Sequence, residues 1–366
     1  MKIICEQSEL SRFLQIAARA LSTKSTLPIL TGILIQTQDN QLRCVTTDLE
    51  IAVEVMVPGI QVIEPGALVL PGKTFVDIVR HLPTGPIEIK KENSGNMVMI
   101  TGKHSAFQLP LLTQEEFPTL PEKGQGQSIE VNGFQLKEAI KQTIYATLAD
   151  APRPFLSSIF WEMNDSRLRL VATDANRLAV KDIAVQGGMQ GNALVPVRAL
   201  REIANIFGNN EEEKLNVYLT DRLIFIEGSG ISFSSRLVVE LQFPRYEQVI
   251  PKEFNGSVLI KRSDFIAALE RSLLVSHSVR LKISGDQIEI SAKEPDKGHA
   301  FEEIPAKITG TDLEIGFNAR FLLDFLKSVD TENIIFNYIQ EQKPALLQCE
   351  GKNDYQYVVM PLKLSA

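Results

Sequence analysis

Apolar residues recur along this chain in two rhythms, one of three to four residues and one of two, and the same order of rhythms comes round three times. Leu10, Phe13, Leu14 and Ala17 stand at the i, i+3, i+4 spacing of an amphipathic helix, as do Leu136, Ala139 and Ile140, and then Phe265, Ala268 and Leu269. A second helix is expected later in each copy: Thr74 to Leu82 after Leu68-Val69-Leu70-Pro71, Val197 to Phe207 after Leu194-Val195-Pro196, and Asn318 to Val329 after Ile315-Gly316-Phe317. Between the helices, Ile87-Glu88-Ile89-Lys90, Leu215-Asn216-Val217-Tyr218-Leu219 and Gln287-Ile288-Glu289-Ile290-Ser291 alternate with period two, the mark of strands with one buried face. The pattern predicts an α+β fold of three repeated domains, each with two helices among several strands.

The repeat has a measurable period. Val45-Thr46-Thr47-Asp48-Leu49-Glu50-Ile51-Ala52-Val53 aligns with Val171-Ala172-Thr173-Asp174-Ala175-Asn176-Arg177-Leu178-Ala179-Val180, an offset of 126 residues, and Phe117-Pro118 recurs as Phe243-Pro244 at the same offset. Pro, Gly and polar residues cluster at Pro121 to Gln127, and Ile250-Pro251-Lys252 marks a second linker. Domains are therefore expected over 1–123, 124–250 and 251–366. A length of 366 residues is too great for one ordinary core, which agrees with such a division.

Composition narrows the class. Hydrophobic residues at 44% and charged ones at 23% suit a globular protein, and no segment has the run of apolar residues needed for a membrane span or a secretory leader. Cytoplasmic residence, with no membrane partner, is the expectation. Cys5, Cys44 and Cys349 are odd in number and lack CxxC spacing, so they read as buried thiols. The net charge of -7 is unequally spread. Six helix windows, 8–21, 72–82, 134–148, 197–207, 262–276 and 318–329, hold twelve basic and seven acidic residues, leaving the rest of the chain at -12. Five of them carry a basic pair on one face: Arg12/Arg19, Lys73/Arg80, Lys137/Lys141, Arg198/Arg201 and Arg320/Lys327. A basic pair opposite an apolar stripe is ordinary on any one solvated helix; recurrence in five points to weak, sequence-blind contact with phosphates.

Catalytic signals are thin. Pro71-Gly72-Lys73-Thr74 resembles the end of a phosphate loop, but Ala67 stands where that motif needs glycine, and Pro71 removes a backbone donor. His81, His104, His277 and His299 have no metal-ligand spacing, and no GxSxG elbow occurs. Asp48 and Asp174 follow threonines at strand ends, where carboxylates more often cap turns. No cofactor, metal or catalytic residue is expected.

Four separate motifs, in order along the whole chain, resemble those of the bacterial DNA polymerase III beta subunit, the beta sliding clamp family. They are Leu27-Pro28-Ile29-Leu30; Val171-Ala172-Thr173-Asp174 with Arg177-Leu178-Ala179; Phe243-Pro244-Arg245-Tyr246 with Val249 and Pro251; and Tyr357-Val358-Val359-Met360-Pro361-Leu362. The resemblance implies a non-enzymatic DNA clamp, a head-to-tail homodimer whose six domains close into a ring around duplex DNA, opened by a loader. It implies partners that bind through short peptides: the DNA polymerase III alpha subunit, the clamp loader delta subunit, and other polymerases and repair proteins. A peptide-binding scaffold that never meets DNA is the alternative, and the recurrent basic helices argue against it.

Carried over residue by residue, the family's partner pocket falls on Leu156, Thr173, Ala175, Asn176, Arg177, Leu178, Pro244, Gln248, Val249, Leu346, Val358, Val359, Met360, Pro361 and Leu362. Without the resemblance, Val358 to Met360 would read simply as a buried final strand. The family commonly has Gly-His at Ala175-Asn176 and often Arg at Gln248, and this chain continues to Ser365-Ala366, departures that bear on peptide preference. DNA contact is expected first at Lys24 and Lys73, with Arg12, Arg19, Arg80, Lys137, Lys141, Arg198 and Arg201 on the helices, and Arg153 and Phe155 in the loop with Asp150. Ring closure is expected to join the strand around Phe107 and Leu109 to the helix end at Leu274 and Val275 of the other copy.

Overall fold

The computed structural model describes residues 1–22, 26–92, 95–123, 127–149, 151–164, 166–239 and 242–363. Lys24, Asp150 and Ser365-Ala366 lie outside the described residues. The described residues form six α-helices: α1 (Gln7–Ala17), α2 (Gly72–His81), α3 (Gly133–Ile144), α4 (Val197–Ile206), α5 (Arg262–Leu273) and α6 (Ala319–Ser328). Each follows directly on a strand: Lys2–Glu6, Ala67–Pro71, Ser128–Asn132, Gly191–Pro196, Gly256–Lys261 and Leu313–Asn318. The strand-to-helix order expected before the second helix of each copy is present, and a strand leads into the first helix of each as well. Rhythm explains the switch: Ile3 and Cys5 are buried at period two, and then Leu10, Phe13, Leu14 and Ala17 at the helical period. α6 has a side-chain N-cap, Asn318 Oδ1 accepting from the Arg320 amide at 3.0 Å.

By contact, the chain divides into two compact units, residues 1–134 with 201–237, and residues 135–200 with 238–366. This partition cuts through the middle repeat, and the reason lies in the sheets. In the first unit, an antiparallel sheet runs in the order Ala67–Pro71, Gly32–Gln38, Gln41–Thr47, Ile51–Val57, Ile231–Arg236, Leu223–Gly228, Lys214–Leu219, Ser128–Asn132. Ala52 pairs with Ser234 where the early and middle segments join. The second unit repeats the arrangement: Gly191–Pro196, Ser158–Asn164, Arg167–Thr173, Arg177–Gly187, Tyr355–Val359, Ala345–Cys349, Asn333–Tyr338, Gly256–Lys261. There Leu178 pairs with Val358. Ladder hydrogen bonds across each junction make it continuous sheet, so a terminal repeat coheres with half of the middle one as strongly as within itself.

Each unit has a further antiparallel sheet. In the first its order is Gln61–Glu64, Lys2–Glu6, Pro86–Lys91, Met97–Gly102, Ser105–Pro110, with the last strand at an edge. In the second, Gly298–Gly310 pairs with Gln287–Glu294, followed by Ser278–Ser284 and Leu313–Asn318.

Gly72 opens α2 because nothing larger fits: a Cβ there would lie 2.6 Å from Leu21 Cδ2 and 2.8 Å from the Thr31 carbonyl oxygen. The Pro71-Gly72-Lys73-Thr74 fragment is therefore a close-packed helix start, which accounts for its glycine without any phosphate. Cys5, Cys44 and Cys349 are buried and unbridged, and burial raises their thiol pKa values.

Candidate partner pocket and nucleic-acid face

The pocket grows out of the junction in the second unit. Period two along Arg177–Gly187 puts Leu178 and Val180 on one face, and across the ladder Val358 and Leu346 join them. With Val171 and Tyr246 they form a buried cluster, against which Phe160, Phe243 and Ile250 pack half-buried. Phe160 and Phe243 stack at 4.9 Å between centroids. The Tyr246 ring is pinned by polar contacts: its hydroxyl donates to Glu162 at 2.7 Å and accepts from Arg169 at 3.4 Å, and Arg169 in turn grips Asp182 of the neighbouring strand through two bonds of 2.6 and 2.7 Å. Burial pushes the Tyr246 phenol up to about 12. Around this floor the described surface is apolar and open, with Val249 51% and Met360 42% exposed, and Pro244 and Gln248 also exposed. The Met360 amide donates to the Asn176 carbonyl at 2.9 Å, which ties the C-terminal segment to the loop of Ala175 and Asn176. Leu362 is exposed and bonds through its amide to Gly316 at 2.8 Å.

That loop is a built turn. Asp174 Oδ1 accepts from the amides of Asn176 and Arg177, and Thr173 Oγ1 accepts from Ala175 and donates to the Arg177 carbonyl, holding Ala175 at φ +75°. Asp48 makes the same turn in the first repeat, with Leu49 also at φ +75°. Both aspartates cap turns.

Two of the side chains assigned to the pocket face away from it. Arg177 and Val359 alternate with Leu178 and Val358, so their side chains leave the pocket's face. The Arg177 guanidinium is 9% exposed; it donates to Asp174 at 2.9 Å, Asp324 of α6 at 2.5 Å and the Tyr145 carbonyl at 2.5 Å, and lies 4.3 Å from the Phe321 ring centre. Burial opposes its charge, yet Tyr357, Asp324 and Asp174 hold its pKa above the ordinary value. Tyr145, Tyr355 and Ser328 hydroxyls continue the network. Arg177 is thus a brace beneath the pocket. Phe155, expected near DNA, is half-buried and meets Phe243 edge-on at 6.0 Å, at the margin of the aromatic cluster.

The expected helix cations other than Lys137 are exposed, and several are paired. Arg12 bonds Glu9, Arg80 Asp77 and Lys141 Glu138 within their helices; Arg19 reaches Glu202, and Lys327 reaches Glu270. Sequence counting could not see this pairing, although the acidic residues three positions away were there to be noticed. Exposed pairs of this sort are worth about 0–1 kcal/mol, so a phosphate can compete for the cation. Lys73, Arg153, Arg198 and Arg201 are exposed, and Lys137 is half-buried.

At the expected ring-closing surfaces, Phe107 is 41% exposed on the edge strand while Leu109 beside it is buried. Leu274 is 78% exposed after α5, with Val275 half-buried. Phe301, 53% exposed on Gly298–Gly310, was missed by sequence reasoning. Its neighbour Glu302 takes a two-bond ion pair from Arg271, one turn before Leu274.

Three family models match this chain in succession: DNA polymerase III beta subunit, N-terminal domain, over residues 1–121; central domain, over 130–245; and C-terminal domain, over 247–363. The chain belongs to the DNA polymerase III beta subunit family. The beta sliding clamp of Staphylococcus aureus is 28% identical over 359 residues, covering 94% of each chain. Among solved structures, the DNA polymerase III subunit beta from Pseudomonas aeruginosa is 29% identical with a TM-score of 0.94, and the DNA polymerase sliding clamp from Bacillus subtilis is 27% identical with 0.93, each covering 100% of both chains. As a family member the chain is a sliding clamp of DNA replication, a processivity factor that acts with a polymerase on DNA and not an enzyme. No described helix is long and apolar enough to cross a membrane.

Proposed function

We propose that two copies of this chain close head to tail into a ring around duplex DNA, and that the apolar surface of Val249, Met360 and Pro244 over the Leu178, Leu346 and Val358 floor captures short peptides of its partners. That exposed rim over a buried aliphatic floor is the observation that carries the reading, since contiguous apolar surface of this kind marks binding. The occupants would be peptides of the DNA polymerase III alpha subunit, the clamp loader delta subunit, and other polymerases and repair proteins, working in the cytoplasm. Two pockets per ring would hold two partners at high local concentration. DNA contact would run through Lys73, Arg198, Arg201 and the weakly paired Arg12, Arg19, Arg80 and Lys141, with Lys24, Lys137 and Arg153 contributing. Phe107 and the Leu274-Val275-Phe301 surface would close the ring, Leu109 offering its backbone. The three domains would divide near residues 123 and 250.

Deleting Met360 to Ala366 is expected to abolish peptide binding and polymerase stimulation on primed circular DNA while leaving the dimer intact by sedimentation. Full stimulation by the truncated ring would overturn the pocket assignment.

A further inference from the structure

The junction in the first unit carries a cavity of about 480 Å³ that the reading above does not use. Its lining matches the partner pocket position for position at the repeat offset: Leu34 for Phe160, Val45 for Val171, Ala52 for Leu178, Phe117 for Phe243 and Leu120 for Tyr246. Strand register extends the match. Ser234 pairs with Ala52 and Phe225 with Ser234, just as Val358 pairs with Leu178 and Leu346 with Val358. The substitutions alter size and chemistry together. Ala52 and Ser234 remove the two aliphatic side chains that fill the floor of the other pocket, and this leaves a hollow faced by the Phe225 and Phe117 rings. Arg43 and Glu54, paired at 2.6 Å and each about a quarter exposed, add charge to the wall.

A second recess, about 290 Å³, shares Glu54 and Ser232 with the cavity. Its described lining contains Glu54 and Glu227 and no basic side chain. Lys123 reaches Glu227 from outside it, at 2.7 Å in a partly exposed pair weak enough to exchange.

We propose that this junction is a second peptide site, of different specificity, taking an extended segment with an aromatic side chain followed by lysine or arginine. The aromatic ring fills the hollow left by Ala52 and Ser234, with the edge-to-face contacts that phenyl rings prefer. The cation enters the recess beside Glu54, which keeps its bond to Arg43, and displaces Lys123 from Glu227. Leu49, 42% exposed on the turn equivalent to that of Ala175, offers an apolar rim. The peptide class rests on the partner-pocket reading; the cavity, its register and its charge do not.

The test titrates the full-length protein, with labelled Leu and Val methyl groups, with acetyl-Gly-Phe-Lys-Gly-amide and with its Glu counterpart. At millimolar peptide, the Lys form is expected to shift the methyl resonances of Leu34, Val45 and Leu120, and the Glu form to bind at least roughly threefold more weakly. Ser234→Leu, which refills the hollow, should remove these shifts and leave any at Leu346 and Val358 unchanged. Glu54→Gln, which alters no volume, should narrow the difference between the two peptides. Shifts confined to Leu178, Leu346 and Val358, no shift at all, or equal binding of both peptides to the native chain would overturn the proposal. The truncation of residues 360–366 reads only the other pocket, so the two assignments can fail separately.

Discussion

The two sheet junctions are built to one plan and held together by different means. In the second unit, Leu178, Val358 and Leu346 fill the outer face, and behind them a charged and phenolic network of Arg177, Asp174, Asp324, Tyr145 and Tyr355 fills the inner one. In the first unit, the same ladder positions hold Ala52, Ser234 and Phe225, with Glu50 and Ile51 in place of Asn176 and Arg177. There the braces are backbone contacts: the Arg236 guanidinium donates to the Leu49 carbonyl at 2.8 Å and its amide to Glu50 at 2.9 Å. One pairing pattern therefore supports either a dry floor over a polar brace or an open cavity over a simple ladder. The repeat fixes where a pocket can form, and a few side chains fix what it holds.

Removing the brace is the largest way to break this comparison. Arg177→Ala would leave Asp174, 8% exposed at its side chain, without its cation, along with the Tyr145 carbonyl. The expected loss is about 3 kcal/mol, at the low end for a buried pair because Asp324 is 40% exposed. Arg177→Lys should not restore it, since one ammonium cannot reach three acceptors in a fork. Trp161 is the chain's single tryptophan, fully buried in the second unit, so its fluorescence in urea reads that unit. An unchanged midpoint would show that the brace is ornamental.

Alkali should separate the junctions next. Burial raises the phenol pKa values of Tyr145, Tyr355 and Tyr357, and that of Tyr246 to about 12, and all four lie in the second unit. These groups stay protonated when folded but ionise near pH 10 when unfolded. Their contribution is complete below pH 10 and is lost as pH rises above it. At pH 11 each would cost about 1.4 kcal/mol, a few kcal/mol together. The Trp161 midpoint should begin to fall near pH 10 and fall steeply above it, and Tyr145→Phe with Tyr357→Phe should flatten the fall. A pH-independent midpoint would contradict the buried network.

The sequence shows the repeats, all six helices and the strand rhythm, because these depend on local period and on an offset of 126 residues. It also shows the turns at Asp48 and Asp174, where one short motif carries the whole geometry. Facing is harder. Arg177 and Val359 sit beside true floor residues in the chain, and only the ladder register shows that they look the other way. Phe155 reads as a loop aromatic until Phe243, far along the chain, is seen against it. The reach of Arg19 to Glu202, the exposure of Phe301 and the cavity at Ala52 and Ser234 depend on contacts between distant segments. No window of sequence contains them.

The finest distinction between the junctions lies in their matching turns. Ala175 and Leu49 both sit at φ +75°, a left-handed conformation that costs an L residue roughly 1 kcal/mol and glycine almost nothing. Glycine at either site relieves that strain but loosens the unfolded chain, so the net gain from backbone alone is below about 1 kcal/mol. Side chains then decide the sign. Ala175 is exposed, and trimming its methyl group gives up little, so Ala175→Gly should raise the Trp161 midpoint slightly. Leu49 is 42% exposed, so more than half of it is covered, and Leu49→Gly forfeits apolar burial of about the same size as the strain it relieves. Its effect on hydrogen exchange in the strand Ile51–Val57 should be close to zero. A clear stabilisation there would mean that the Leu49 side chain contributes nothing to the folded first unit. Leu49 would then be held in a strained turn solely as surface, the condition expected if it forms the rim of a binding site.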